Sequence, residues 1–288
     1  MIKDTKENNV KKDVVDSTTK KNSEYWLEHF LANYNKSEKR DFEKINTPLK
    51  NGPKTLIKVS SLVQIFGKGP KGKKALDGVS VEIRENENLA IVGPNGSGKT
   101  TLVECIAGLN KPSEGKIEYL FDWKKSPMEN IGIQFQKSSY PNGLSVKKVI
   151  NFYVSVFDCK LTKKELESLI KIFGIDEFIN KNAQGLSGGQ MQRINALLAV
   201  MHKPKVVFMD EIAAGLDINI KFRIKKFMKE FAKENGMTIV TVSHEIDEVE
   251  YLADRIVVLI NGKVAASIYT EEAIKKYGSV ENFFDKYI

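Results

Sequence analysis

The sequence predicts an α/β fold, a parallel sheet whose strands alternate with helices and whose middle carries a helical insertion. Three observations predict it. A short apolar run, Leu89–Val92, ends in a Gly-rich turn and is followed by a helical pattern over Thr100–Gly108. Apolar strands at Ile131–Phe135, Val206–Met209 and Thr238–Val242 then alternate with helical patterns, one starting at Gly188 and one over Ile218–Ala232. Between Phe135 and Gly188, residues 146–180 give helical patterns, with Val149, Ile150, Phe152, Tyr153 and Phe157 followed by Leu166, Leu169, Ile170 and Phe173.

Taken in chain order, residues 1–54 stand apart because they are too poor in apolar side chains to build a core. Within them Trp26, Leu27, Phe30, Leu31 and Tyr34 recur at helical spacing behind a cap at Asn22 or Ser23. This predicts an amphipathic helix near residues 24–34, fit either to dock on its own domain or to meet a membrane surface or a partner. Thr47–Pro53 reads as a linker. From Thr55 onward, Leu56–Ile65 and Val79–Ile83 alternate like strands, and Ile117–Phe121 reads as another. Glu271–Tyr277 and Val280–Tyr287 are expected to be short helices packed on the sheet. The organisation is therefore an extension over 1–54 and a domain over 55–288, with the helical part at about 137–185.

Composition removes several function classes. The chain has 288 residues and a formal charge of +8, divided as +3 over residues 1–54 and +5 over the remainder. The excess forms no block and no basic patch interleaved with aromatics, which argues against a nucleic-acid groove. Apolar runs such as Ile256–Ile260 fall far short of the roughly 20 residues of a membrane helix. No N-terminal stretch has the apolar middle of a signal peptide. Cys105 and Cys159 are too few and too far apart for a disulfide framework or a thiolate metal site.

The chemistry concentrates in three segments. Gly93, Pro94, Asn95, Gly96, Ser97, Gly98, Lys99 and Thr100 form a full phosphate loop, G-x-x-x-x-G-K-[ST], between a strand and a helix. Its glycines let backbone N–H groups approach phosphate oxygens, and the helix start adds a positive dipole end. Lys99 is expected on the β and γ phosphates, Thr100 on Mg²⁺ and Thr101 on the α phosphate. The segment Lys205–Glu211 is an apolar strand that delivers Asp210 and Glu211 to the ligand edge of the sheet. Asp210 suits a Mg²⁺ shell, and Glu211 is the candidate to polarise the attacking water. Leu186 and Ser187 lead into Gly188, Gly189 and Gln190 at a helix start, a second place for an anion.

The run Leu186–Gln190 matches the signature of ATP-binding cassette (ABC) proteins, and the resemblance extends over roughly residues 55–263. It implies a P-loop NTPase with a RecA-like core, an antiparallel β subdomain and an inserted α-helical subdomain. By the same resemblance, Ser187–Gln190 caps ATP held by another subunit. Gln136, which lies 37 residues after Lys99, is similar to the Q-loop glutamine that meets Mg²⁺ or water. His244 resembles the switch histidine on the γ-phosphate, Asp217 the D-loop aspartate, and Phe66 the aromatic ring under the adenine. The cofactors implied are ATP and Mg²⁺. A ring stacks on the face of any base, so Phe66 by itself does not select ATP over GTP.

There are departures from the family pattern. Glu211 is followed by Ile-Ala-Ala-Gly-Leu-Asp, where the family commonly has Pro-Thr-Ser-Gly-Leu-Asp, so a rigid turn and two hydroxyls are missing before Asp217. Asn86 stands where a Gly is usual, and Asn tolerates positive φ. The resemblance implies an ATPase that dimerises head to tail around two MgATP and works, as a peripheral protein on the cytoplasmic face of the membrane, with separate permease subunits. The second ATP-binding subunit is either the same chain or a related one. The run Ile131–Tyr153 leans towards exporters. The alternative is a non-transport ATPase, such as a subunit of a soluble iron–sulfur assembly scaffold.

Overall fold

The computed structural model describes residues 45–46, 49, 52–67, 72–134, 139–210, 216–243 and 245–287. The expected helix near 24–34, Gln136, Glu211 and His244 therefore lie outside the described residues. The chain divides into two units, Met1–Glu43 and Lys44–Ile288, and the second contains everything below.

Two sheets organise the second unit. The strands are β1 (Ile45–Asn46), β2 (Thr55–Phe66), β3 (Lys73–Arg84), β4 (Leu89–Val92), β5 (Glu114–Tyr119), β6 (Ile131–Gln134), β7 (Val206–Asp210), β8 (Thr238–Val242), β9 (Arg255–Ile260) and β10 (Lys263–Tyr269). The larger sheet has the order β1-β10-β9-β4-β8-β7-β6, and the smaller is β3-β2-β5. From β9 to β6 the larger sheet is parallel, whereas β10 runs antiparallel to β9. The small sheet is antiparallel throughout. The helices are α1 (Lys99–Ile106), α2 (Val146–Val156), α3 (Lys163–Ile172), α4 (Gly188–Val200), α5 (Ile218–Asn235), α6 (Ile246–Leu252), α7 (Thr270–Tyr277) and α8 (Val280–Tyr287).

The central strands are buried along nearly their whole length because both faces of the large sheet are covered. Leu89 and Ile91 point to a core shared with β2, β3 and α1, while Ala90 and Val92 point to one shared with α6, α7 and α8. Likewise Val206 and Phe208 face the small sheet, and Val207 and Met209 face α4 and α5. The helical insertion joins this last core through Val149, Ile150, Phe173 and Phe178, packed with Ile194 and Leu197. α7 and α8 pack on the sheet through Ala273, Val280, Phe283 and Phe284, as their spacing suggests.

β1, β9, β10 and α6 were not expected as elements from the sequence. β1 pairs with Ala266 and Ser267 of β10, inside the stretch read as extension, and the compact unit begins at Lys44. β5 begins three residues before Ile117 because its first residues, Glu114–Lys116, are exposed and carry no apolar signal. Asn86 adopts φ 54°, the left-handed conformation expected of it.

Close approach of α4 to β6 depends on a missing side chain. A Cβ on Gly132 would lie 1.9 Å from the Ala199 carbonyl and 3.0 Å from Pro204 Cγ. Neither backbone atoms nor a ring can yield cheaply, so α4 would have to lift from the sheet. Gly132→Ala is expected to lower unfolding stability by about 2–3 kcal/mol, the upper range for overpacking a tight core. Urea denaturation checks this, and a loss under about 0.5 kcal/mol, the scatter of a neutral surface change, would contradict the contact.

Candidate active site

The site lies where strand ends carry backbone groups into the gap between the two sheets. β4, buried at every residue, ends at Gly93, whose φ is 147°. A Cβ there would sit 2.0 Å from the Leu259 carbonyl of β9, so only glycine lets the turn pass its neighbour. Gly98 has φ 104°, and its own Cβ would meet the Ala75 carbonyl of β3 at 2.5 Å. The loop is thus pressed between β9 and β3. It is tied by Ser97 N–H to Pro94 O (3.2 Å) and by Gly262 N–H to Ser97 O (3.0 Å).

The start of α1 combines two features. Ser145, Thr162, Ser187 and Asp217 each cap their helix with a side-chain oxygen. α6 and α7 lack a side-chain cap, but each carries two acids in its first turn. α1 starts at Gly98 with no side-chain cap and no acid in its first turn. Its first N–H groups are left for an external anion. The Lys99 ammonium is buried against the Gly93 and Pro94 carbonyls, at 2.6 and 3.0 Å. The Ser97 hydroxyl is buried with no hydrogen-bond partner among the described residues. A buried hydroxyl without a partner is costly in itself and is satisfied by a ligand oxygen.

A cavity of about 320 Å³ opens on this loop and is lined by Phe66, Lys73, Ala75, Asn95, Gly96, Gly98, Lys99, Thr100, Thr101, Asp210 and Val242. Phe66, the phosphate loop and Asp210 were expected together from the sequence, and the fold brings them to one cleft. Asp210 arrives because β7 pairs in parallel with β8, placing it opposite Val242. Thr100 and Asp210 are hard oxygen donors and fit a Mg²⁺ shell completed by phosphate and water. Among the described residues no group of three or more His, Cys, Asp or Glu could hold a metal without such help. The uncapped helix start, the orphaned Ser97 hydroxyl and the hard donor pair together fit a nucleoside triphosphate with its magnesium.

Ser187, Gly188, Gly189, Gln190 and Asp217 do not line this cleft. Ser187 Oγ accepts from Gln190 N–H at 3.3 Å while Gln190 Oε1 accepts from Ser187 N–H at 3.2 Å, a reciprocal cap. Ser187 and Gly188 are exposed, and nothing lies within 4 Å of where a Gly188 Cβ would be. Asp217 Oδ1 accepts from Asn219 N–H (3.1 Å) and Ile220 N–H (3.0 Å), fixing the start of α5. α5 in turn grips the residue after His244. Lys221 Nζ lies 2.6 Å from Glu245 Oε1 and Lys225 Nζ 3.2 Å from Glu245 Oε2. The Lys221 hydrogen bond holds the Glu245 carboxyl below the usual carboxylate range. Burial pushes the neighbouring Glu248 upward, although Lys225 and the Thr241 hydroxyl at 2.9 Å oppose it.

Reading residues one at a time missed Lys73, Ala75 and Val242 as cleft residues. Only the pairing of Lys73 with Phe66 across β2 and β3 could have found the first.

Comparison with known proteins agrees with this geometry. The ABC transporter family model matches residues 76–214. The uncharacterized ABC transporter ATP-binding protein MJ0412 of Methanocaldococcus jannaschii is 35% identical over 210 residues, covering 72% of this chain and 78% of the relative. The probable sulfate/thiosulfate import ATP-binding protein CysA of Chlorella vulgaris is 34% identical over 212 residues, covering 72% of this chain and 89% of the relative. Among solved structures, the ATP-binding cassette MJ0796, a dimer in a post-hydrolysis state bound to ADP and Pi, superposes with a TM-score of 0.64 at 25% identity, covering 74% of this chain and 98% of that one. Loop, cleft and likeness converge: the chain belongs to the ABC transporter family, as an ATP-binding subunit that hydrolyses ATP.

Proposed function

We propose that the chain powers a transporter by closing head to tail on a second ATP-binding subunit, the same chain or a related one, around two MgATP. The observation that supports this is that Ser187 and Gly188, the exposed start of the signature helix, do not line the cleft of their own chain. A phosphate loop and a separate exposed signature on each chain make complete sites when each signature serves the other copy's loop. The dimeric MJ0796 cassette with ADP and Pi supports the arrangement.

In the closed site Lys99 and the uncapped start of α1 hold the terminal phosphates, and Phe66 carries the base. Thr100, Asp210 and Gln136 hold magnesium, which supplies positive charge to the phosphate oxygens. Glu211 orients the attacking water and takes its proton, and His244 donates to the γ-phosphate. Ser187 of one copy completes the charge stabilisation on the other's nucleotide. The D-loop aspartate Asp217 connects the two copies, and the Lys221–Glu245 contact links the start of its helix to the residue after His244.

Among the described residues no helix is long and apolar enough to cross a membrane; in this reading the transport path belongs to separate permease subunits. The chain would then work as a peripheral protein on the cytoplasmic face. The import name of the Chlorella relative favours inward transport over the export direction read from Ile131–Tyr153. Purification of the full chain from detergent-solubilised membranes tests the assignment. A multi-span membrane protein is expected to accompany it; a soluble scaffold or bound nucleic acid in its place would overturn the transport reading.

A further inference from the structure

We propose that Lys73 is a nucleotide-binding residue whose ammonium meets the α-phosphate, between the base on Phe66 and the terminal phosphates on the loop. The inference rests on the cleft being the ATP site. Phe66 and Lys73 are register partners across β2 and β3. Directly opposed residues of an antiparallel pair project to one face, and both of these line the cleft. Two residues further along β3, Ala75 also lines it, and the phosphate loop packs there, with the Ala75 carbonyl 2.5 Å from where a Gly98 Cβ would be.

That sequence of contacts sets a scale along β3. Lys73 stands roughly 6.6 Å, one two-residue strand step, from the loop contact and beside the aromatic ring. With the base at the ring and the terminal phosphates at the start of α1, the ribose and α-phosphate occupy the interval. A lysine side chain reaches across such an interval and meets an anion as a point charge.

Among the described residues, the adjacent charges on β3 are committed elsewhere. Lys74, on the opposite face of the strand, pairs with Asp77 at 2.9 Å, and Asp77 also holds Lys263 at 3.1 Å. Among the described residues Lys73 has no ion-pair or hydrogen-bond partner for its ammonium. It is exposed, so its charge stays hydrated until a phosphate arrives and no burial cost precedes binding. Lys99 differs in being buried against the loop, where it serves the far end of the triphosphate.

Calorimetric titration of ATP, ADP and adenosine into the full-length wild-type chain, Lys73→Gln and Lys73→Arg tests the assignment. Lys73→Gln is expected to weaken ATP and ADP by the same factor, roughly 10-fold for one charge-assisted contact, and to leave adenosine unchanged. Lys73→Arg should keep most of the affinity. Equal binding of ATP and ADP by wild type and Lys73→Gln would overturn the role of Lys73 and leave the nucleotide site intact. A loss confined to ATP would overturn the α-phosphate assignment, because it would place the ammonium on the γ-phosphate. A wild-type chain that binds neither nucleotide would overturn the site itself and this assignment with it.

Discussion

Glu211→Gln is expected to reduce ATP turnover by about 10²–10⁴-fold, the usual contribution of a positioned general base. ATP affinity should stay nearly unchanged. The amide keeps the size and polarity of the carboxylate but cannot accept the proton that the attacking water must lose. Nucleotide contacts do not depend on that proton, so binding and closure survive while hydrolysis stalls. Asp210, the preceding residue, is fixed at the cleft by its pairing with Val242 and lines the cavity with Lys99 and Thr100. Phosphate release measured beside ATP-dependent dimer formation by light scattering gives both readouts. A stable dimer with negligible turnover is the expected pair of results. Undiminished turnover would remove Glu211 from the mechanism.

Arg255→Leu should cost about 3–5 kcal/mol of unfolding stability, the penalty for stranding one member of a buried ion pair. Arg255 Nε donates to Glu87 Oε1 at 2.6 Å, Nη1 to Ser267 Oγ at 3.4 Å and Nη2 to the Glu82 carbonyl at 2.5 Å. The guanidinium is 3% exposed and the Glu87 side chain 7%, so water cannot replace what the substitution removes. After it, the Glu87 carboxylate keeps the Tyr269 hydroxyl, which donates to it at 3.2 Å. The cluster joins β9 and β10 of the large sheet to β3 of the small one, so its loss loosens the seam between the two sheets. Replacing both charges, in Glu87→Leu with Arg255→Leu, should recover much of the loss because no buried charge is then left alone. Urea unfolding of the two variants checks this. A double variant no better than the single one would show that packing, not the stranded carboxylate, sets the cost.

The comparison of sequence with structure follows the range of the interactions involved. The phosphate loop was legible because glycine spacing, lysine and hydroxyl all act within eight consecutive residues. The caps at Ser187 and Asp217 are equally local: each oxygen serves an N–H two or three residues on. β9 escaped notice as an element because a short apolar run fits a buried strand and a buried helix alike. Its partner β10 mixes exposed and buried residues, and its pairing with β9, not its own pattern, makes it a strand.

What the sequence determined by itself is the chemistry: a phosphate loop, a strand ending in two acids and a signature helix start, and with them the family. Tertiary structure decided which of these share a cleft. Parallel pairing of β7 with β8 brings Asp210 to the loop's cleft, whereas Ser187 does not line it. Tertiary structure also decided Lys73, one lysine among many along the chain, which gains meaning only from its register with Phe66. The physical reason is common to both cases. Strand pairing is set by backbone hydrogen bonds and by burial of two faces at once, and neither is written in the neighbours of a single residue. The Glu87–Arg255 pair, 168 positions apart, is the extreme instance.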